Sequence, residues 1–126
     1  MDFNTVLQRI GFKEMAPFGS RWVGCATEDS DYDYLVLVPA KPGMRCMKGT
    51  GFKPDATDPL YGEDFSSWKN GKINLVFTDS KTYYDATLEA RDFCTKYKVY
   101  DKVDRCAVHE AYRGAAKYKQ TDPFTF

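Results

Sequence analysis

The pattern of apolar and polar positions divides the first third of the chain into a helix and two strands. Residues 4–10 carry apolar side chains at helical spacing. Residues 12–18 predict a strand. Residues 34–38 form a near-continuous apolar run closed by Pro39, which is typical of a strand buried on both faces. We expect this run to be a central strand.

The middle of the chain predicts a long loop followed by a hairpin. Residues 40–63 contain prolines and glycines without sustained periodicity, and we expect a loop or flap there. The strand-like segments 66–69 and 73–78 flank Asn70-Gly71, a pair favoured in tight type I′ turns. We therefore predict a hairpin that turns at these two residues.

Two helices are predicted in the last part of the chain. The first is capped by Asp79 and runs to about residue 98. The second runs over about 102–112, is capped by Asp101 and is ended by Gly114. The residues that this second helix is expected to turn inward are Val103, Ala107, Val108 and Ala111.

The order of elements and the size of the chain indicate an α+β protein with one domain. The 126 residues, 43% of them hydrophobic, suffice for one core over residues 1–114, with a partly ordered tail at 115–126. Eighteen basic residues balance eighteen acidic ones. The net charge therefore gives no support for binding to nucleic acid or to an anionic membrane.

The cysteines and the N-terminus indicate a cytoplasmic protein. The four cysteines form no C-x-x-C pair and no zinc-binding spacing, so we expect reduced thiols. The first fifteen residues carry charges where a signal peptide needs an apolar run. No stretch approaches the length of a membrane span.

The residues that suggest chemistry lie between the first two strands. Gly19-Ser20 is expected where a strand enters a helical turn, and the free N–H groups of such a turn favour a phosphate. Asp31 and Asp33 are two residues apart, so both carboxylates point to one face of a strand. Two such charges repel each other unless a cation compensates, and Mg²⁺ prefers carboxylates together with substrate phosphates. Each fragment alone is more often a solvated turn.

Together, these fragments resemble the signature of the nucleotidyltransferase superfamily, the DNA polymerase beta-like fold. That signature is Gly-Ser-x-x-x-Gly-x-Ala, a spacer, Ser-Asp-x-Asp and an apolar strand. The wider chain is similar to short nucleotidyltransferase-like proteins of bacteriophages. The matching residues are Gly19, Ser20, Gly24, Ala26, Ser30, Asp31 and Asp33.

The resemblance implies a minimal nucleotidyltransferase fold, a mixed β-sheet packed by helices, with a nucleoside triphosphate as ligand. It implies that Asp31 and Asp33 are catalytic and hold Mg²⁺ or Mn²⁺. Gly19, Ser20 and Ser30 are then nucleotide-binding residues, and Arg21 is expected to contact a phosphate.

The resemblance also implies a third carboxylate on a later strand, where this chain has Asn74. An amide offers one carbonyl acceptor and cannot act as a general base. Glu63, Asp64 or Asp29 are possible replacements if the loops fold over the site. The lone His109 cannot build a metal site by itself, and we expect no catalytic role for it.

Two functions follow as hypotheses. The first is an enzyme that transfers a nucleoside monophosphate from a triphosphate to an unknown acceptor. The second is a catalytically degenerate phage protein that binds a nucleotide or a host protein in the host cytoplasm and modulates that partner. Asn74 favours the second hypothesis, whereas Gly19-Ser20 and the Asp31/Asp33 pair favour retained binding.

Overall fold

A computed structural model describes residues 3–58 and 64–121. The described chain contains five helices and five strands. In chain order they are α1 (Phe3–Ile10), β1 (Glu14–Phe18), α2 (Ser20–Val23), β2 (Tyr32–Leu37), α3 (Met44–Met47), β3 (Lys53–Pro54), β4 (Ser66–Asn70), β5 (Ile73–Thr78), α4 (Lys81–Lys96) and α5 (Lys102–Thr121).

The strands form one mixed sheet in the order β1-β2-β5-β4-β3. β2 and β5 run parallel, and the other neighbouring strands are antiparallel. The predicted α+β class and mixed sheet are confirmed. Most of the apolar run 34–38 lies in β2. β2 is an inner strand between β1 and the central β5. Its apolar side chains are needed because both faces of the sheet are covered there.

Alternate residues along the strands point to opposite faces of the sheet and contribute to two hydrophobic clusters, one on each face. On one face, Val36 and Leu75 pack with residues of α1 and α3. On the other face, Leu35 and Val76 pack with Tyr83 and Tyr84 of α4. Side chains two apart on a strand share a face, so Asp33 and Asn74 lie on the side of α4 and α5. The register pairs these two residues directly.

The predicted hairpin is present, but its turn is displaced by one residue. Asn70 pairs with Ile73 as the last residue of β4, so Gly71 and Lys72 form the turn. Gly71 has a φ of 58°, whereas Lys72 has no positive φ. This pattern is type II′ and not the predicted type I′, because only the first central residue needs the left-handed conformation.

The boundaries of two other segments also differ from the prediction. Ser80, and not Asp79, caps α4, because the Ser80 hydroxyl accepts a hydrogen bond from the amide of Tyr83. Between residues 40 and 63 the structure contains α3 and β3 and is therefore not entirely a loop. Part of this segment, residues 59–63, lies outside the described residues.

The last helix differs most from its prediction. α5 begins after Asp101, which accepts from the amide of Asp104 as predicted, but it continues through Gly114 to Thr121. The predicted stop at Gly114 is therefore wrong, and residues 115–121 of the predicted tail are helical. Residues 122–126 lie outside the described part of the chain.

The predicted inner face of α5 is also wrong. Val103 is 76% exposed, and Ala107 and Ala111 are exposed as well, although Val108 is half-buried. The helix is instead rotated so that its large side chains face the rest of the protein. The ring of His109, for example, packs edge-on against Phe18. The half-buried side chains that α5 turns toward the rest of the protein include Arg105, Cys106, His109, Tyr112 and Arg113. Within the described ranges, no helix has the length and apolar character to cross a membrane.

Candidate functional site

A cavity of about 440 Å³ lies between one end of the sheet and α5. The sheet side contributes carboxylates, and α5 contributes basic side chains. Such a volume is within the ordinary range for a small-molecule site. The predicted site residues on its walls are Gly19, Ser20, Ser30, Asp31, Asp33 and Asn74.

Gly19 lies in direct contact with the carboxylate of Asp33. Phe18 pairs with Asp33 across β1 and β2, so Gly19 follows at the edge of the cavity. Its φ of 79° favours glycine, and a Cβ at this position would overlap Asp33 Oδ2 and lie 3.0 Å from Cγ. The backbone can therefore approach the carboxylate only because residue 19 has no side chain.

Ser20 and Ser30 line the same cavity through different local structures. Ser20 begins α2, and its carbonyl accepts from the amides of Gly24 and Cys25 at 2.9 and 3.0 Å. The Ser30 hydroxyl accepts from the amide of Thr27 at 2.9 Å. The side-chain oxygen of Ser30 is thus partly used in holding its own turn.

Arg21 does not line the cavity. Its guanidinium donates to the carbonyl of Ser30 at 2.8 Å and to that of Glu28 at 3.4 Å, and it stacks 3.9 Å from the ring centre of Tyr32. Lys72 also donates to the Glu28 carbonyl, at 2.6 Å. These contacts hold the loop that presents Asp31. The contact between Arg21 and a phosphate stays a prediction, and it would require the guanidinium to leave these carbonyls.

Asp31 forms an ion pair across the sheet end. Its Oδ2 lies 2.9 Å from Nζ of Lys69, a residue of β4. This hydrogen bond raises the pKa of Lys69 above its ordinary value. Both side chains are partly exposed, so the pair contributes little to stability and can open toward a ligand.

Asn74 connects two carboxylates on the cavity floor. Its Nδ2 donates to Asp58 Oδ2 at 2.7 Å and to Asp33 Oδ1 at 3.1 Å. The Ser67 hydroxyl donates to Asn74 Oδ1 and approaches Asp58 Oδ2, both at 2.9 Å. Asn74 is only 4% exposed, and these partners hold the orientation of its amide.

Asp58 and Asp55 are acidic residues of the cavity wall that the sequence did not predict, and Asp58 lies nearer to the predicted residues because it contacts Asn74. Asp58 comes from the segment after β3, where Asp55 holds the turn by accepting from the amide and hydroxyl of Thr57. The D-x-x-D spacing was visible in the sequence, but nothing local places it beside Asn74. Of the three expected replacements, Asp29 lines the cavity, Asp64 does not, and Glu63 lies outside the described residues.

The pKa of Asp33 rises from 3.8 to about 6. Burial of the carboxylate is the largest cause, and the negative charges of Asp58 and then Asp31 add to it. The hydrogen bond from Asn74 and the positive charge of Arg105 act in the opposite direction. Asp33 is therefore a carboxylate whose charge is poorly compensated.

Three basic side chains of α5 face the carboxylates across the cavity. Arg105, His109 and Arg113 are spaced four residues apart and all line its wall. Burial, and then the charges of Arg113 and Arg105, lower the pKa of His109 to about 4. The imidazole is therefore neutral near pH 7. The R-x-x-x-H-x-x-x-R spacing in the sequence could have indicated that these three side chains share one face of the helix.

Asp31 and Asp33 could hold a metal ion only together with further ligands, such as a phosphate. Within residues 3–58 and 64–121, no three His, Cys, Asp or Glu side chains are placed to hold a metal together. Asp31 and Asp33 nevertheless share the cavity. Mg²⁺ is commonly bound by one or two carboxylates, substrate phosphates and waters, so two carboxylates suffice when phosphate completes the site.

In comparisons with known proteins, no family model matches the chain and no curated protein matches its sequence.

Proposed function

We propose that the chain is a nucleotidyltransferase-like protein that binds a nucleoside triphosphate with Mg²⁺ or Mn²⁺ in the cavity beneath α5. The α+β architecture with its mixed sheet is, in this proposal, a minimal nucleotidyltransferase fold. The observation that carries the proposal is the convergence of Gly19, Ser20, Asp31 and Asp33 on one cavity wall. These residues supply a close backbone approach, a hydroxyl donor and two carboxylates.

Each of these groups has a role toward such a ligand. Asp31 and Asp33 would hold the metal, which when bound neutralises charge on phosphate oxygens. Because Gly19 has no side chain, its backbone lies against the carboxylate of Asp33, so the Gly19-Ser20 turn and this carboxylate would lie beside the same phosphate. Ser20 would donate a hydrogen bond to that phosphate. The raised pKa of Asp33 is consistent with a carboxylate that a cation would stabilise in its charged form.

The arrangement around Asn74 favours binding without efficient turnover as a second candidate. Its amide nitrogen donates to both Asp33 and Asp58. A neutral amide cannot remove a proton from an acceptor hydroxyl, and it already compensates part of the carboxylate charge. In the first candidate function the protein is an enzyme that transfers a nucleoside monophosphate to an acceptor. In the second it binds a nucleotide without efficient turnover and modulates a host protein.

A cytoplasmic setting is part of the proposal. The four cysteines are unpaired, with Cys94 buried and the other three half-buried. Free thiols are typical of reducing compartments, where disulfides rarely persist.

Calorimetry on the purified chain tests the proposal. We expect ATP to bind in the presence of Mg²⁺, Mg²⁺ alone to bind weakly, and the double variant Asp31→Asn/Asp33→Asn to lose Mg²⁺-dependent binding. Asp92→Asn is the matched control, since Asp92 is an exposed partner of Arg91 on α4, outside the cavity wall. Equal ATP affinity in the wild type and the double variant would exclude a carboxylate-held metal.

Label transfer then separates the two candidates. Host-cell extract and radiolabelled triphosphate are incubated with wild type or with the double variant. Transfer that depends on Asp31 and Asp33 would establish an enzyme. Binding without transfer would favour the second candidate.

A further inference from the structure

The cavity wall formed by α5 presents a row of nitrogen-bearing side chains. Arg105, His109 and Arg113 recur every four residues, so they lie on one face of the helix. From Arg105 to Arg113 the row extends about 12 Å, since each helical residue rises by about 1.5 Å. Lys102 lines the same wall one turn before Arg105. This surface is continuous and faces the carboxylates.

The side chains of Arg105, His109 and Arg113 make fewer hydrogen bonds and ion pairs than buried polar groups usually make. Arg105 Nε, His109 Nδ1 and Arg113 Nη1 are buried and have no hydrogen-bond partner within residues 3–58 and 64–121. Neither arginine forms an ion pair within 4.0 Å among the described residues. Half-buried guanidinium groups without counterions are costly, and native proteins normally compensate them.

Neighbouring groups supply that compensation only in part. Arg105 is close enough to lower the pKa of Asp33, but no salt bridge joins them. Arg113 lies over the ring of Phe65 at 5.7 Å, a contact that leaves its hydrogen-bond donors unused. Burial lowers the pKa of Arg113 and outweighs the negative charges of Glu110, which is exposed, and of Asp64, which favour the charged form of Arg113.

We propose that this face of α5 is an oxyanion site that takes a chain of phosphates and binds it without a metal ion. Guanidinium groups match phosphate oxygens in bidentate geometry, and a neutral imidazole between them can donate one further hydrogen bond. A single phosphate is too short for a 12 Å row, by the helical rise of about 1.5 Å per residue, whereas a linked chain reaches more than one donor. The site shares the cavity of the proposed function, and it deepens that proposal by specifying where the polyphosphate part of the ligand lies.

The test uses the single histidine of the chain as a reporter. Tag-free protein in EDTA is titrated with phosphate, pyrophosphate, tripolyphosphate, ATP and adenosine, and binding is followed by calorimetry and by the NMR resonances of the His109 ring. We expect tripolyphosphate and ATP to bind and to shift these resonances, pyrophosphate to bind more weakly, and phosphate and adenosine to bind least. Tripolyphosphate binding that leaves the His109 resonances unmoved would overturn the proposal, and this readout needs no variant.

Variants identify the side chains that bind. Arg105→Gln and Arg113→Gln should each weaken tripolyphosphate binding by about 10- to 100-fold, the effect typical of losing a hydrogen bond to a charged group. Arg9→Gln removes the same charge outside the cavity, where Arg9 donates to the Lys48 carbonyl, and should leave affinity unchanged. Near-UV circular dichroism checks the fold of each variant. Equal losses in all three variants would overturn the site, because only the net charge would then matter.

The outcomes separate this inference from the proposed function. ATP binding that requires Mg²⁺, with no tripolyphosphate binding in EDTA, would overturn the α5 site and leave the metal-nucleotide site standing. Tripolyphosphate binding that depends on Arg105 and Arg113, with no added affinity from the nucleoside or Mg²⁺, would support the α5 site and contradict the proposed function. Comparing tripolyphosphate with ATP also distinguishes a free inorganic chain from a nucleotide as the source of the phosphates.

Discussion

Replacing Asp33 with asparagine should stabilise the metal-free protein by an amount that depends on pH. The carboxylate has a pKa of about 6 in the folded chain against an ordinary 3.8. A raised pKa means that the folded state binds the proton more tightly. Stability from Asp33 is therefore fully present below pH 3.8 and is lost as the pH rises through 6. The asparagine of the variant would remain neutral across this range and could still accept a hydrogen bond from Asn74.

The expected size follows from the two pKa values. A shift of about 2 units corresponds to at most about 3 kcal/mol of destabilisation above pH 7, at about 1.4 kcal/mol per unit. Integrated over the titration, the cost is about 1 kcal/mol at pH 4.5, so the benefit of Asp33→Asn should grow by about 2 kcal/mol between pH 4.5 and 7.5. The titration of His109 is common to both proteins and cancels in the difference.

Urea unfolding in EDTA at several pH values measures this effect. Wild type, Asp33→Asn and the control Asp92→Asn are compared at equal ionic strength, and the control should follow the wild type at every pH. A stability difference that does not change with pH would refute the interpretation of Asp33 as a poorly compensated carboxylate. Destabilisation by Asp33→Asn at pH 7.5 would refute it more directly, since the carboxylate would then be contributing favourable interactions.

Three further predictions concern neighbouring positions. Asn74→Asp places a third carboxylate against Asp33 and Asp58, so it should lower stability in EDTA, tighten Mg²⁺ binding and raise any label transfer. A thermal unfolding temperature equal to that of the wild type, both with and without Mg²⁺, would contradict this prediction. Gly19→Ala should cost about 1–3 kcal/mol of unfolding free energy, from a positive φ and overlap with Asp33, whereas Gly43→Ala, which has open space, should not; equal effects would be inconsistent with the close approach. The depressed pKa of His109 gives stability that is present above pH 6.5 and is lost as the pH falls toward 4, up to about 3 kcal/mol. His109→Gln should therefore flatten the acid side of the stability curve measured by urea unfolding, and an unaltered slope would show that the imidazole is already solvated.

Much of the fold follows from patterns that are local in the chain. The helical spacing in residues 4–10 and the apolar run at 34–38 produced α1 and β2, and Asp101 caps α5 as its side chain predicts. These features depend on neighbouring residues, because a cap or an amphipathic face is defined within a few positions. The two-residue spacing of Asp31 and Asp33 also indicated a shared face, and both residues line the cavity.

Other features depended on contacts between distant segments. Asn70 and Gly71 are both compatible with a turn, and the pairing of Asn70 with Ile73 decided which residues form it. Arg21 has the chemistry to bind phosphate, but the carbonyls of Glu28 and Ser30 engage it instead. Asp58 approaches Asn74 across sixteen positions of sequence, a proximity that no local pattern contains.

The phase of α5 shows most clearly what the tertiary structure decided. The sequence contains one helical stripe with Val103, Ala107 and Ala111 and another with Arg105, His109 and Arg113, and hydrophobicity alone favours burying the first. In the folded chain the second stripe faces the sheet, with His109 against Phe18 and Arg113 over Phe65. The sequence by itself determined that residues 102–112 form a helix, because helix formation depends on near neighbours. Only packing against the sheet determined which side of that helix lines the cavity, because that choice depends on the shape and charge of a surface built from distant strands.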